Sequence, residues 1–411
     1  MELNCASLIV LISVLVNVRM ASSIAIGINY GQIANNLPSP EAVVPLVKSI
    51  GATKLKLYDA DGRVLRAFAN TGVEFIVGLG NEYLQKMREP NNAQTWVKQN
   101  VQAYLPATKI TCITIGNEVL TLNGSASTLV DHLLPTMESI HAALVSLNLD
   151  KQVIVTTAHS LAVLETSYPP SAGTFRKDLV GCITPILNFH AKTGSPFLIN
   201  AYPYFAYKAN PKQIPLDFVL FQPNQGVVDP LTNLRYTNML YAQIDAVYAA
   251  LSSVGYKNLS LQISETGWPS KGDADEAGAT LDNAKKYNGN LMKVIAQNKG
   301  TPMRPGYCDF NIYVFALFNE NMKPGPTSER NYGLFKPDGT PAYQLIGITM
   351  PPPTNTSAAP TAGAGSPTPA ASSSGYLSIS SSAAAGAVKE RYNRFMGPVL
   401  SVFLFLIKFI L

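Results

Sequence analysis

The sequence predicts a parallel (β/α)8 barrel, and three observations carry that expectation. Between residues 24 and 350, short β-rich apolar runs alternate with longer amphipathic stretches, the pattern of successive βαβ units. Eight such runs can be counted, and eight units suit a barrel, which typically takes about 250 residues and more with insertions. Side chains capable of chemistry gather at the C-terminal ends of the runs, the face on which barrel enzymes build their sites. The competing arrangement is a doubly wound open sheet. It would gain support from a GxGxxG fingerprint after the first run, but Gly27, Gly31 and Gly51 lack that spacing.

The first run, IAIGINYG (24–31), closes on Asn29 and Tyr30, and the second, TKLKLYDA (53–60), on Tyr58 and Asp59. VEFIVGLG (73–80) is apolar apart from Glu74, and ITCITIGNEV (110–119) ends in Asn117 and Glu118. A helical stretch over 126–148 follows, with Leu129, Leu133, Met137, Ile140 and Leu144 at helical spacing. QVIVTTAH (152–159) ends in His159, and PFLINAYPYF (196–205) carries Asn200, Tyr202 and Tyr204. Helical patterns over 236–254 and 279–297 flank LSLQISETGW (259–268), which holds Glu265; IYVFALFNEN (312–321) ends in Asn319 and Glu320. Ordinary turns favour Asp, Gly and Ser. These ends mix Asn, Tyr and Glu instead, which points to a site.

Both ends of the chain differ from the middle. Residues 8–17 form an apolar run followed by Ala21, Ser22 and Ser23, which reads as a signal peptide over 1–23 although no Lys or Arg precedes the run. A core helix is the other reading; the run is short for a bilayer span. Residues 351–386 are rich in Pro, Ser, Thr, Ala and Gly and cannot bury enough apolar surface to fold, so a disordered linker is expected. Small residues at 382–386 are followed, within residues 387–411, by the spacer VKERYNR and the apolar end MGPVLSVFLFLIKFIL, the parts of a GPI-attachment signal. That implies a secreted protein held at the outer face of the plasma membrane, or in the cell wall. A transmembrane anchor is the alternative, weakened by Lys408 and the short tail.

Charge and cysteine content exclude further classes. Residues 1–23 are neutral, since Glu2 and Arg19 cancel. In 387–411, Lys389, Arg391, Arg394 and Lys408 exceed Glu390 by three, so only about +2 of the formal +5 remains in between. A nearly neutral surface gives no footprint for nucleic acid. Cys5 lies in the leader, and Cys112, Cys182 and Cys308 are neither a disulfide framework nor a CxxC metal site. Cys112 reads as a buried thiol, and one disulfide among the three stays open. His132, His141, His159 and His190 have no HExxH spacing, so no metal is expected. Asn123, Asn258 and Asn355 begin N-x-S/T sequons, each a glycosylation candidate in a secreted protein.

The carboxylates suggest the chemistry. Cleaving a glycosidic bond needs one carboxyl to protonate the leaving oxygen and another to meet the oxocarbenium-like carbon from the opposite face. Glu118 closes the fourth run and Glu265 the seventh, three strands apart on a barrel, so both can converge on one bond. Asn117 can hydrogen-bond a sugar hydroxyl beside the reacting carbon. The sequence does not show which environment raises one pKa and keeps the other low.

At IGINYG (26–31), TIGNEV (114–119), ISETGWPS (263–270) and FALFNENMKPGPTSERNYGLF (315–335) the chain resembles the plant β-1,3-glucanases of glycoside hydrolase family seventeen. The resemblance spans residues 26 to about 345. It implies a retaining endo-glucanase acting on β-1,3-glucan or callose, with Glu118 as acid/base and Glu265 as nucleophile, and with no cofactor. It also implies cleft roles for Tyr58, Glu320, Lys323 and Glu329. Tyr30 and Tyr202 fit binding positions, and Trp268 either stacks on a sugar or packs beneath the site. The cysteine-rich glucan-binding module of many relatives is missing from 351–386, and a monomer is expected. Two other readings remain: a glucan binder without turnover, and a transglycosylase or mixed-linkage enzyme using the same carboxylates.

Overall fold

The structure, a computed structural model, describes residues 26–122, 128–297, 299–306 and 311–344. The expected leader, linker and anchor signal lie outside the described residues, as do Asn123, Asn355 and Cys308. Eight parallel strands close into a barrel: β1 Ile26–Asn29, β2 Ala52–Lys56, β3 Glu74–Leu79, β4 Lys109–Asn117, β5 Ile154–Ser160, β6 Phe197–Asn200, β7 Leu261–Thr266 and β8 Ile312–Val314. β8 returns to β1 through the pairs Gly27–Tyr313 and Ile28–Val314. The eight predicted runs supply the eight strands.

Helices α1 Pro40–Ser49, α2 Gly62–Ala67, α3 Pro90–Asn100, α4 Val130–Ser146, α5 Val180–Thr193, α6 Pro203–Ala209, α7 Met239–Ser253 and α8 Leu281–Gln297 lie between them. The period-2 alternation of each strand divides the core. Leu55, Leu57, Phe75, Val77, Ile113 and Ile115 belong to the large cluster between strands and helices, where Leu133, Met137, Ile140 and Leu144 of α4 are buried. The alternate residues Ile76, Cys112 and Tyr313 form a separate small plug, with Ile154 against it. Gly27 gives Tyr313 its room, since a Cβ there would lie 2.6 Å from the ring. Cys112 and Cys182 are free thiols, and burial pushes the Cys112 thiol up to about 12.

The sixth and eighth predicted runs outlast their strands most. The run over 196–205 stops at Asn200, because Pro203, at the start of α6, presets helical φ and has no N–H for a strand ladder. The run over 312–321 is regular strand only to Val314: Phe315 and Leu317 still donate to the carbonyls of Thr266 and Asn29 in the neighbouring strands, while Ala316 and Asn319 turn to those of Tyr332 and Phe335. Glu320 therefore stands on a loop beyond the barrel rim. His159 is stacked on Phe197 at 4.7 Å in the strand–helix layer, which explains why a polar strand end need not belong to a site.

Candidate active site

Glu118 reaches the barrel mouth through an unusual backbone. Gly116 adopts φ +63°, and Glu118 itself sits at φ 55°, a left-handed conformation costing a non-glycine residue about 1–2 kcal/mol. Its N–H donates to the Ala158 carbonyl at 2.9 Å, and its carbonyl accepts from the Thr121 N–H at 3.1 Å. The Asn81 side chain brackets Asn117, accepting from its N–H at 2.8 Å and donating to its carbonyl at 3.1 Å. A Cβ at Gly116 would stand 2.6 Å from Val119 and 2.8 Å from Asn81 Oδ1. Only glycine fits there.

Glu265, near the end of β7, is 6% exposed. Three donors converge on its carboxylate: Lys56 Nζ on Oε1 at 2.9 Å, Tyr58 OH on Oε1 at 2.6 Å, and Tyr202 OH on Oε2 at 2.9 Å. Burial alone would raise its pKa, but the Lys56 charge and these donors outweigh it and hold the carboxyl below its usual range. Glu118 has the opposite fate. Burial, reinforced by the Glu265 charge, pushes it up to about 7 against the opposing Asn200 bond. Asn200 joins the two strands: its Nδ2 donates to Glu118 Oε1 at 2.9 Å, and its Oδ1 accepts from Ser264 Oγ, beside Glu265, at 2.6 Å.

Around this pair lie most of the other predicted residues. Glu320 Oε1 accepts from the Ile33 N–H at 2.8 Å, and its Oε2 stands 3.5 Å from Lys323 Nζ, which lies over the Phe315 ring. Glu329 is buried, and its charge also raises Glu118. The buried atoms Asn117 Oδ1 and Asn29 Nδ2 have no hydrogen-bond partner among the described residues.

Two expectations need correction. Trp268 offers no stacking face, because it is fully buried. Its Nε1 donates to the Gly278 carbonyl at 2.8 Å, and its ring packs against Tyr204 at 5.2 Å and Tyr287 at 5.5 Å. Tyr30, 1% exposed, packs on Phe318 and has little surface to offer a sugar. For Trp268→Ala we expect a loss of about 3–5 kcal/mol of stability in denaturant unfolding, the cost of emptying a large aromatic core position. An unchanged midpoint with weakened sugar binding would restore the stacking reading.

Lys56 was not among the predicted site residues, yet a signal for it exists. In TKLKLYDA, Leu55 and Leu57 face the helices, so Lys54, Lys56 and Tyr58 share the inward face. A lysine on that face, 1% exposed, must meet a charge inside the barrel.

A closed parallel barrel with two glutamates in unlike environments at its mouth suits a glycosidase, a class that uses one protonated and one ionised carboxyl. Residues 26–346 match the description "Glycosyl hydrolases family 17", and the chain belongs to that family. It is 64% identical over 342 residues to glucan endo-1,3-beta-glucosidase 11 of Arabidopsis thaliana, covering 83% of this chain and 80% of that one. Glucan endo-1,3-beta-glucosidase 10 of the same plant is 66% identical over 324 residues, 78% and 76% of the two chains. Among solved structures, a β-1,3-glucanase that is an allergen of Cryptomeria japonica pollen superposes with a TM-score of 0.75 at 42% identity. That likeness covers 78% of this chain and 98% of the other.

Proposed function

We propose that the chain hydrolyses internal β-1,3-glucosidic bonds of β-1,3-glucan with retention, using Glu265 as nucleophile and Glu118 as acid/base. One arrangement carries the reading: Lys56, Tyr58 and Tyr202 surround the Glu265 carboxylate and draw it towards its charged form, while buried Glu118, bonded to Asn200, is drawn towards its protonated form. The names of the relatives supply the linkage. Oε2 of Glu265, which accepts from Tyr202, attacks the anomeric carbon while the glycosidic bond breaks and the Glu118 proton passes to the leaving oxygen. Formation of the glycosyl ester removes the Glu265 charge that had helped to raise Glu118. Glu118 then accepts a proton from water as the water attacks the anomeric carbon and releases Glu265. Asn117 Oδ1, which has no hydrogen-bond partner among the described residues, accepts from a sugar hydroxyl.

Reducing-sugar release from laminarin tests the reading. Equal background rates from wild type and Glu265→Gln would favour the binder without turnover. Lys56→Met should raise the Glu265 pKa by about one unit or more, because a cation at contact distance has gone. The acid limb of kcat/KM then moves up in pH; an unmoved limb would show that Lys56 does not set this charge.

We further propose that the protein acts as a monomer, is secreted and stays at the membrane surface through a GPI anchor, as the composition of 351–411 suggests. Phosphatidylinositol-specific phospholipase C should release it from membranes; retention would favour a transmembrane tail. Asn258, exposed in the turn before β7, is the sequon we propose for glycosylation among the described residues.

A further inference from the structure

Beside the catalytic pair, three segments of the catalytic face are fastened at one buried side chain, Glu276. It sits in the loop after β7 and its side chain is 1% exposed. Lys208 Nζ, on α6, donates to Oε1 at 2.6 Å. Ser328 gives its Oγ to Oε1 at 2.6 Å and its N–H to Oε2 at 2.9 Å. The Asp273 N–H reaches Oε2 at 3.1 Å. Asp273 repeats the tie, accepting from Thr327 N–H at 2.9 Å and Thr327 Oγ1 at 2.5 Å.

Each fastened segment presents a group of the site. α6 begins directly after Tyr202, whose hydroxyl holds Glu265. The loop itself continues from Glu265 and is pinned again where Trp268 meets Gly278. Ser328 precedes Glu329, whose charge acts on Glu118. Four donors, one of them a cation, need an acceptor-only side chain with two oxygens, which is an ionised carboxylate. Burial pulls Glu276 upward, but Lys208 and Ser328 outweigh it and keep the group below its usual range.

We propose that Glu276 is a positioning residue for the reaction, latching Tyr202 onto Glu265 and Glu329 towards Glu118 from outside the cleft. This rests on the glycosidase reading above. With the latch open, Tyr202 no longer steadies the Glu265 charge and Glu329 no longer opposes that of Glu118. The acid limb of the pH–rate profile therefore rises and the alkaline limb falls. Misplacing catalytic groups by about 1 Å costs about 10²-fold in rate, so kcat suffers more than KM.

The test uses the full chain carrying Glu276→Gln and, separately, Lys208→Met, which spares the Ser328 ties. Hydrogen exchange of residues 203–209 and 327–334 is measured alongside the pH dependence of laminarin hydrolysis. In Glu276→Gln we expect faster exchange in both segments and a pH profile narrowed from both sides. In Lys208→Met only 203–209 should loosen and only the acid limb should move. Unchanged exchange in Glu276→Gln overturns the latch. So does a loss of activity with both limbs in place, which marks a purely structural residue. Wild type inactive on laminarin would instead sink the glucanase reading, and the exchange measurement would still judge the latch.

Discussion

Glu265→Ala is expected to lower kcat on laminarin by about 10⁴-fold or more, the scale on which removing a covalent nucleophile acts. The loss should exceed that of any other single change in the cleft, because Lys56, Tyr58 and Tyr202 are all arranged around this carboxylate. Removing it also leaves the Lys56 ammonium, 1% exposed, without its counter-ion, and breaking a buried pair costs about 3–5 kcal/mol. Glu265→Gln keeps a hydrogen-bond acceptor for Tyr58 or Tyr202 and should unfold closer to wild type while being just as inactive. Residual activity within tenfold of wild type in either variant would remove Glu265 from the role of nucleophile.

The second large effect falls on Glu118. Glu118→Ala should lose about 10²–10⁴-fold on laminarin, whose leaving sugar needs a proton, and far less on substrates with good leaving groups. Azide should partly rescue turnover of the activated substrates by replacing the water that Glu118 would have activated. Equal losses on good and poor leaving groups would argue against its role as the acid. The pH profile gives a second check. Glu118 must carry its proton in the free enzyme, so kcat/KM falls as pH rises through about 7, and this alkaline limb should vanish in the variant.

The same shift enters stability with a definite sign. The folded chain prefers protonated Glu118, so this contribution is complete below the ordinary value of 4.5 and is lost as pH rises towards about 7. Glu118→Gln, which cannot ionise, should therefore be more stable than wild type at pH 8 and little different at pH 4, as thermal unfolding would show.

Much of this was legible in the sequence. The barrel follows from eight alternating runs, because parallel strands covered by helices have a strong apolar signature. Glu118 and Glu265 were legible as strand-end carboxylates three strands apart, and the structure brings both to Asn200. The residues that set their charges were harder to read. Lys56 looks like any strand lysine until the inward face of β2 is known, and Ser264 matters only because Asn200 sits next to it in the barrel. Trp268 stayed open between sugar stacking and packing beneath the site, because its direction depends on the packing of Tyr204 and Tyr287. Local spacing does not record which way a loop folds back. Pro203 was the one readable boundary signal within the overlong sixth run, and its effect was to begin α6.

The central claim, that Glu265 takes the sugar while Glu118 handles the proton, is tested most directly by covalent trapping. In a 2-deoxy-2-fluoro laminaribiosyl fluoride the 2-fluorine slows both steps, while the anomeric fluoride leaves without acid assistance as the carboxylate bonds to the sugar, so the glycosyl ester accumulates. Peptide mapping by mass spectrometry should then find one 2-deoxy-2-fluoro laminaribiosyl group, a disaccharide, on Glu265, in the ISETGWPS segment. Turnover of the reagent with no adduct and an inverted product, or an adduct on Glu118 or Glu320, would contradict the account.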